Sequence, residues 1–413
     1  ARPEGPPGAG RPPDGAWDAL TDQPIRVGLA ASVESVVVSA RGAFSLTVYS
    51  GAARRLQASS GEEWTFVGTD AGITARSSGG QSLELAQGTV RLRPEAPAAM
   101  VVNGVAYRGE IEVYPAAPGS LTVVNVVGME AYLRGVVPGE IGARSPAEIE
   151  AVKAQAVAAR TYAAASSGGR AAGDFDVLAT IADQLYQGAD FEDPVCDRAI
   201  LETAGLILTF AGRPAHTYFH STCGGRTAAR HEVWELGELP YLRSLPDGGG
   251  RASRPDDAWC RSSPSFTWTV SWTGDEVARL VRGQLPAVAS TPVREPIGDI
   301  VGLAATERSP SGRVRWLEVR TTSGTYRVFG DRVRWLLLRP DTGGILRSAW
   351  FDLDVKTSGG RVVRVTARGR GNGHGVGMCQ HGALGQARAG RSCEEILAHY
   401  YPGTALARLR DVW

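Results

Sequence analysis

Three stretches of this 413-residue chain hold side chains able to do chemistry. The first is Val136-Val137-Pro138-Gly139-Glu140-Ile141, one carboxylate after a Pro-Gly turn and between apolar neighbours. Removing water from a carboxylate disfavours its charged form, so a Glu held among Val and Ile side chains stays protonated nearer neutral pH, as a general acid must. The structural alternative is a solvent-facing loop carboxylate. The second stretch, His216 to Gly225, crowds His220, Ser221 and Cys223 at the end of a strand. No G-x-S-x-G elbow surrounds Ser221, and a Ser–His or Cys–His pair needs a partner at hydrogen-bond distance, which spacing does not supply. The alternative there is a structural turn with Cys223 in a disulfide, and Cys260, next to Trp259, is the candidate partner. The third stretch, 369–382, has Gly at every second position from 369 to 377. One face then lacks side chains, so the backbone can approach a ligand or another chain while Asn372, His374 and Gln380 offer hydrogen bonds. It is neither a dinucleotide fingerprint nor a phosphate loop, since both spacings fail. Tight packing between strands is its structural alternative.

Residues 25–127 are a succession of short Val-, Thr- and aromatic-rich segments broken by Gly-containing turns, an antiparallel β pattern. The character changes at Ser145-Pro146-Ala147-Glu148, where Ser145 as N-cap, Pro146 in the first turn and Glu148 closing a capping box predict a helix over 146–165. On it Ile149, Val152, Ala156, Ala159 and Ala163 form one buried stripe, flanked by Lys153 and Arg160 on one side and Gln155 and Tyr162 on the other. Further elements are a short helix over 197–206, a strand pair turning at Gly212-Arg213-Pro214, a helix over 275–285, strands over 301–338 and a closing helix over 393–401 that stops at Pro402-Gly403.

Composition narrows the partners. The 44 basic and 43 acidic groups leave a net charge of +1, without the one-sided excess that binding a polyanion requires, so nucleic acid is not expected. No apolar run approaches the roughly 20 residues of a membrane-spanning helix. The Pro/Gly-rich residues 1–22 read as a flexible leader, of the kind left after a secretion signal is removed, or as a trimmed end. Five cysteines, at 196, 223, 260, 379 and 393, allow two disulfides and leave one over. None forms a C-x-x-C pair, so no structural zinc is expected.

The segments together resemble the stage II sporulation protein D group, also called the SpoIID/LytB family. The resemblance rests on Tyr132-Leu133-Arg134-Gly135-Val136-Val137-Pro138-Gly139-Glu140-Ile141 followed by the run from Glu150 to Tyr162, on Phe219-His220-Ser221-Thr222-Cys223-Gly224-Gly225, and on the run from Gly373 to Ala383 with His399-Tyr400-Tyr401-Pro402-Gly403, all in the family's order. It implies an α+β, β-rich fold of several subdomains around a central catalytic helix. It implies a lytic transglycosylase that cuts the bond between N-acetylmuramic acid and N-acetylglucosamine in peptide-free glycan strands, leaving 1,6-anhydro ends, with Glu140 as acid and base. A glycoside hydrolase normally needs a second carboxylate, whereas here the substrate's own C6 hydroxyl attacks, so one suffices. Lys153, Gln155, Arg160, Tyr162, His220, Ser221, His374 and Gln380 are expected to hold the sugars, each with a plain structural reading beside it.

The partners implied are peptidoglycan glycan strands and a cell-wall amidase, with no cofactor, and the place is outside the cytoplasm, in periplasm, envelope or medium. The rival reading is the family's amidase-enhancer branch, which binds glycan without cutting it; a third makes Cys223 or Cys379 a thiol nucleophile. Two departures stand out. Some sporulation members bind zinc through His and Cys shortly after the catalytic helix, and residues 174–183 hold neither type. Cys379 and His381 stand where Ser and an aromatic residue are familiar. The expected organisation is the leader, a β region over 23–127, a catalytic core over 128–241, a strand-rich insertion over 242–346 and a C-terminal segment over 347–413. That last segment is expected to return so that residues 140, 155, 220, 374 and 380 share a groove.

Overall fold

The computed structural model describes residues 23–50, 53–168, 175–248 and 257–412. The expected leader at 1–22 lies outside the described residues. The molecule is a β-rich mixture of α and β, about 38% strand against 26% helix. It divides into two compact units, one running through His216 and resuming at Ala405, the other Thr217–Thr404.

In the first unit the antiparallel segments build two sheets. One has seven strands in the order Val177–Leu178, Pro24–Val33, Leu121–Gly128, Glu110–Pro115, Thr89–Pro94, Phe44–Tyr49 and Arg54–Ala58; the other has six. Half-covered strands alternate as their chemistry demands: in Ser35–Ala40, Val36, Val38 and Ala40 are buried while Val37 and Ser39 are partly exposed. Leu121–Gly128 is different. It sits between two partners and is buried on both faces through Asn125, and it runs directly into the helix Met129–Ile141.

That helix departs from the sequence reading, which placed Glu140 after a turn. Pro138 and Gly139 lie inside its last turn, where the proline lacks only the one N–H that would reach the Arg134 carbonyl. The helix stops at Gly142, whose φ of 78° suits glycine and whose N–H bonds the Pro138 carbonyl at 3.0 Å. The capping box at Ser145 forms as expected and opens a 3-10 turn, Pro146–Glu148, which leads into the helix Ile149–Ser166. This helix is buried nearly all round, not along one stripe: Ala154 to Thr161 are buried without a break and Ile149 is only half-buried. A helix walled in on every side is a central one. The later helix begins at Pro194, capped by Asp193, and ends at Glu202. The following pair, Leu206–Phe210 and Arg213–Pro214, turns at Ala211-Gly212.

The second unit has its own core. The helix Gly274–Val288 starts with a Thr273/Glu276 capping box and buries Val277, Val281, Leu285 and Val288, one stripe at helical spacing. It packs with two three-stranded sheets around Trp272, Leu317, Val328 and Phe351. The glycine-dense segment belongs to this unit, and its alternation has another cause than a bare strand face. Gly371, Gly373, Gly375 and Gly377 all adopt positive φ, from 71° to 102°, so the segment is a chain of left-handed turns that becomes strand only at Met378–Cys379. There it pairs in parallel with Phe219–His220.

Candidate active site

The Met129–Ile141 helix explains its motif residue by residue. Arg134, 1% exposed, makes a two-pronged bond to Asp197, both contacts 3.0 Å, and a 2.7 Å ion pair with Glu192. Buried charge is tolerated only when so matched. Tyr132 donates to Gln184 Oε1 at 3.0 Å. A Cβ at Gly135 would stand 2.5 Å from the Tyr186 ring, and one at Gly139 would stand 2.9 Å from both the Leu185 carbonyl and Gln187 Oε1. The two glycines, four apart on one face, let the segment 185–188 lie against the helix. Gln187 N–H bonds the Gly135 carbonyl at 3.0 Å, and Leu185 N–H donates to Glu140 Oε1 at 2.7 Å. Glu140 is half-buried at the helix end with that oxygen fixed by a backbone donor.

The residues expected to contact sugars on the next helix have partners within the protein. Arg160 is fully buried, its guanidinium bound to both Glu130 oxygens at 2.8 and 2.7 Å and to the Leu206 carbonyl at 2.9 Å. It ties helix to helix and strand and does not face a ligand, which corrects the sequence reading. The reason is the all-round burial of its helix. Lys153 lies between Glu150 at 2.8 Å and Glu202 at 2.6 Å. Tyr162 donates to Asp183 Oδ1 at 2.9 Å, and Gln155 is fully buried. Asp183 and Leu185, which position Tyr162 and Glu140, were not read from sequence. Neither sits in a periodic or capped segment that would mark it.

Glu140, Lys153, Gln155, Arg160 and Tyr162 belong to the first unit; His220, Ser221, His374 and Gln380 belong to the second. Within the second unit the two histidines meet, ring centroids 5.5 Å apart, and His374 also packs on Trp234 at 5.0 Å. His374 Nδ1 accepts the Val376 N–H at 3.0 Å. His220 Nδ1 lies 3.2 Å from the Val376 carbonyl, while its Nε2 is buried and has no hydrogen-bond partner among the described residues. Burial pushes His374 down to about 4, and burial with the neighbouring His374 and Arg313 holds His220 well below its usual value. Both rings are therefore neutral at neutral pH. Tyr218 and Trp234 line, with Phe329, Asp331 and Trp335, a cleft of about 450 Å³. Ser221 is half-buried and Gln380 is buried at the start of the helix Gln380–Arg388.

All five cysteines are free and buried. Cys223 and Cys260, expected as a disulfide, are thiols 3.5 Å apart. Burial raises Cys223 and Cys379 well above the ordinary thiol value, the opposite of what a thiol nucleophile needs, so the thiol-hydrolase reading falls.

Among the described residues no helix is long and apolar enough to cross a membrane. A family described as stage II sporulation protein matches residues 117–210, and one described as a domain of unknown function matches 252–377. The chain is 30% identical over 301 residues to stage II sporulation protein D of Bacillus amyloliquefaciens, covering 69% of this chain and 75% of that one. It is 28% identical over 343 residues to the protein of the same name in Bacillus subtilis, covering 79% and 87%. An amidase enhancer of Bacillus subtilis is 29% identical over 303 residues, covering 66% of this chain but 40% of that protein. With three quarters of a relative matched at that identity, the chain belongs to the stage II sporulation protein D family.

Proposed function

We propose that the protein is a peptidoglycan lytic transglycosylase in which Glu140 is the single general acid and base. The observation that carries this reading is the setting of Glu140: one oxygen pinned by Leu185 N–H at 2.7 Å, the group half-buried at a helix end, inside the stretch that the family match covers. The fixed carboxyl group, protonated, gives its proton to the glycosidic oxygen as the bond to the N-acetylmuramic acid C1 breaks, and is left as a carboxylate. The C6 hydroxyl of the same sugar then attacks C1, and its proton returns to the carboxylate. No water is consumed, the acid is regenerated, and the product ends in a 1,6-anhydro ring. The cleft of Tyr218, Trp234 and Trp335 suits sugar rings, whose apolar faces stack on aromatic side chains while Asp331 accepts hydroxyls. The family's fold, an exported location and glycan strands as substrate come with this reading.

The test is mass analysis of products from peptide-free glycan strands. Anhydro-ended fragments are expected, and Glu140→Gln should slow their release by about 10²–10⁴-fold while strand binding persists. A second reading is favoured by the relative named amidase enhancer: the chain binds glycan and stimulates an amidase without cutting. Intact strands with retained binding in the wild type would establish that reading and reject ours.

A further inference from the structure

Four fully buried side chains of the second unit aim their donor atoms at one point. The sulfurs of Cys223, Cys260 and Cys379 and a carboxylate oxygen of Asp247 all lie within 4.8 Å of one another, and each residue is 0% exposed. We propose that these four residues are a closed, structural zinc site.

The spacing of the donor atoms is close to what a tetrahedral metal centre requires. Zn–S bonds of about 2.3 Å place sulfurs about 3.8 Å apart around a tetrahedron; Cys223 and Cys260 Sγ stand at 3.5 Å. Asp247 Oδ2 is 3.0 Å from Cys223 Sγ, so outward shifts of a few tenths of an ångström open the space. Three thiolates select a soft or borderline cation, and a hard ion such as calcium or magnesium is disfavoured.

The surroundings are those of a metal thiolate. Backbone N–H groups point at sulfur from Cys223 to Cys379 Sγ at 3.2 Å, from Gly225 to Cys223 Sγ at 3.3 Å and from Gly382 to Cys379 Sγ at 3.3 Å. Tyr400 donates to Asp247 Oδ1 at 2.7 Å, with His399 Nε2 3.7 Å from the same oxygen, which leaves Oδ2 turned to the sulfurs. Such outer contacts orient ligands. Arg313, 2% exposed, donates to the carbonyls of Cys223 and Arg226 at 3.0 and 3.1 Å. No carboxylate ion pair holds it among the described residues, although Glu232 and Asp331 act on it from farther off, and a zinc with three thiolates and a carboxylate would add negative charge beside this buried cation.

A disulfide accounts for less. Joining Cys223 and Cys260 would draw their sulfurs in to about 2.05 Å and use only two of the four converging donor atoms, giving no reason for the Cys379 sulfur and the Asp247 Oδ2 beside them. A metal uses all four donors. With no open coordination position and no solvent access, its role is to fasten the turn after Phe219–His220, the 246–248 strand bridge, the Trp259–Ser262 turn and the start of the Gln380–Arg388 helix.

The experiment measures metal in the full chain purified without chelator from zinc-supplemented cells, together with its intact mass under non-reducing, denaturing conditions. One zinc per chain and five free thiols after denaturation are expected. Cobalt put in its place should give thiolate charge-transfer bands and the intense visible bands of tetrahedral cobalt. Asp247→Asn, which keeps the hydrogen bond from Tyr400, should weaken zinc binding by more than about tenfold in a chelator competition, and Cys196→Ser, outside the cluster, should leave it unchanged. Should a variant fail to fold by circular dichroism, the cobalt spectrum of the wild-type chain decides alone. A metal-free chain with five free thiols, or one with a disulfide between any two of the three cysteines, overturns the proposal.

Discussion

At the scale of single residues, most of the glutamate motif is scaffold. Tyr132, Arg134, Gly135 and Gly139 each answer to a partner from the 184–197 stretch, and together they present one carboxylate. Gly139→Ala isolates that role. The added methyl meets the backbone carbonyl of Leu185, the residue whose N–H donates to Glu140, so relief of the contact displaces the segment that carries this donor. Alanine gains about 1 kcal/mol of helix propensity and loses a similar amount to crowding, so unfolding free energy should hardly change. Glycan cleavage should fall by up to about 10²-fold, since a shift near 1 Å at a catalytic group costs that much. Full activity in this variant, measured beside denaturant unfolding, would mean that the Leu185 anchor does not matter. The two histidines make a second prediction. Folded His374 titrates at about 4 and His220 is also depressed, whereas an unfolded chain takes up these protons near pH 6.5. Between those values the unfolded state binds more protons, so the stability present above about pH 6.5 drains away as pH falls toward 4, by up to about 3 kcal/mol for His374. Denaturant titrations across that window should show a shallower slope for His374→Gln; an unchanged slope would assign the acid lability to other groups.

At the scale of elements, the glycine-dense segment shows what a local pattern hides. Alternating Gly was read as a bare strand face, yet left-handed φ values and close approach impose it: a Cβ on Gly377 would run into the Tyr218 carbonyl, and one on Gly373 would stand 2.8 Å from His220 Cβ. Gly377→Ala should therefore destabilise the protein by about 3 kcal/mol or more, combining roughly 1–2 kcal/mol for left-handed φ with the cost of a broken strand pair. Gly360→Ala is the control. Its φ of 76° is equivalent but nothing lies within 4 Å, so only the backbone penalty of about 1–2 kcal/mol should appear. Equal losses would remove close approach as a cause. The same contrast explains what was legible. The Ser145 capping box and the helix after it were readable because four adjacent residues carry the signal. The Glu140 helix was not, because Pro138 and Gly139 signal a turn and the contacts that compensate come from about 45 residues away. The three cysteines and Asp247 are scattered over more than 150 residues, so no spacing rule could gather them.

At the scale of the whole molecule, the chain leaves the first unit after His216 and returns to it at Ala405. The family resemblance implied an α+β, β-rich body and a C-terminal segment that returns; the strand that makes this return was not read, because Ala405–Arg408 has no strand pattern of its own. Its pairing is with Leu206–Phe210, from Leu206 opposite Arg408 to Thr209 opposite Ala405. That strand rests on the central helix: Leu208 N–H bonds Thr161 Oγ1 at 2.9 Å, and the Leu206 carbonyl takes Arg160. Its other neighbour, Arg213–Pro214, covers only two residues. Leu409, 1% exposed, closes the end and bonds the Gly205 carbonyl at 2.8 Å. Deleting 405–413 should therefore strip one edge of this strand and expose what Leu409 covers, a loss of about 2–4 kcal/mol from one buried leucine and the ladder bonds. Hydrogen exchange gives the readout. Amides of 206–210 should lose protection while those of Val314–Thr321, in the core of the second unit, keep theirs. Protection unchanged at 206–210 would show that the strand is held by the central helix alone, and that the returning tail is an ornament of the first unit and not a part of its frame.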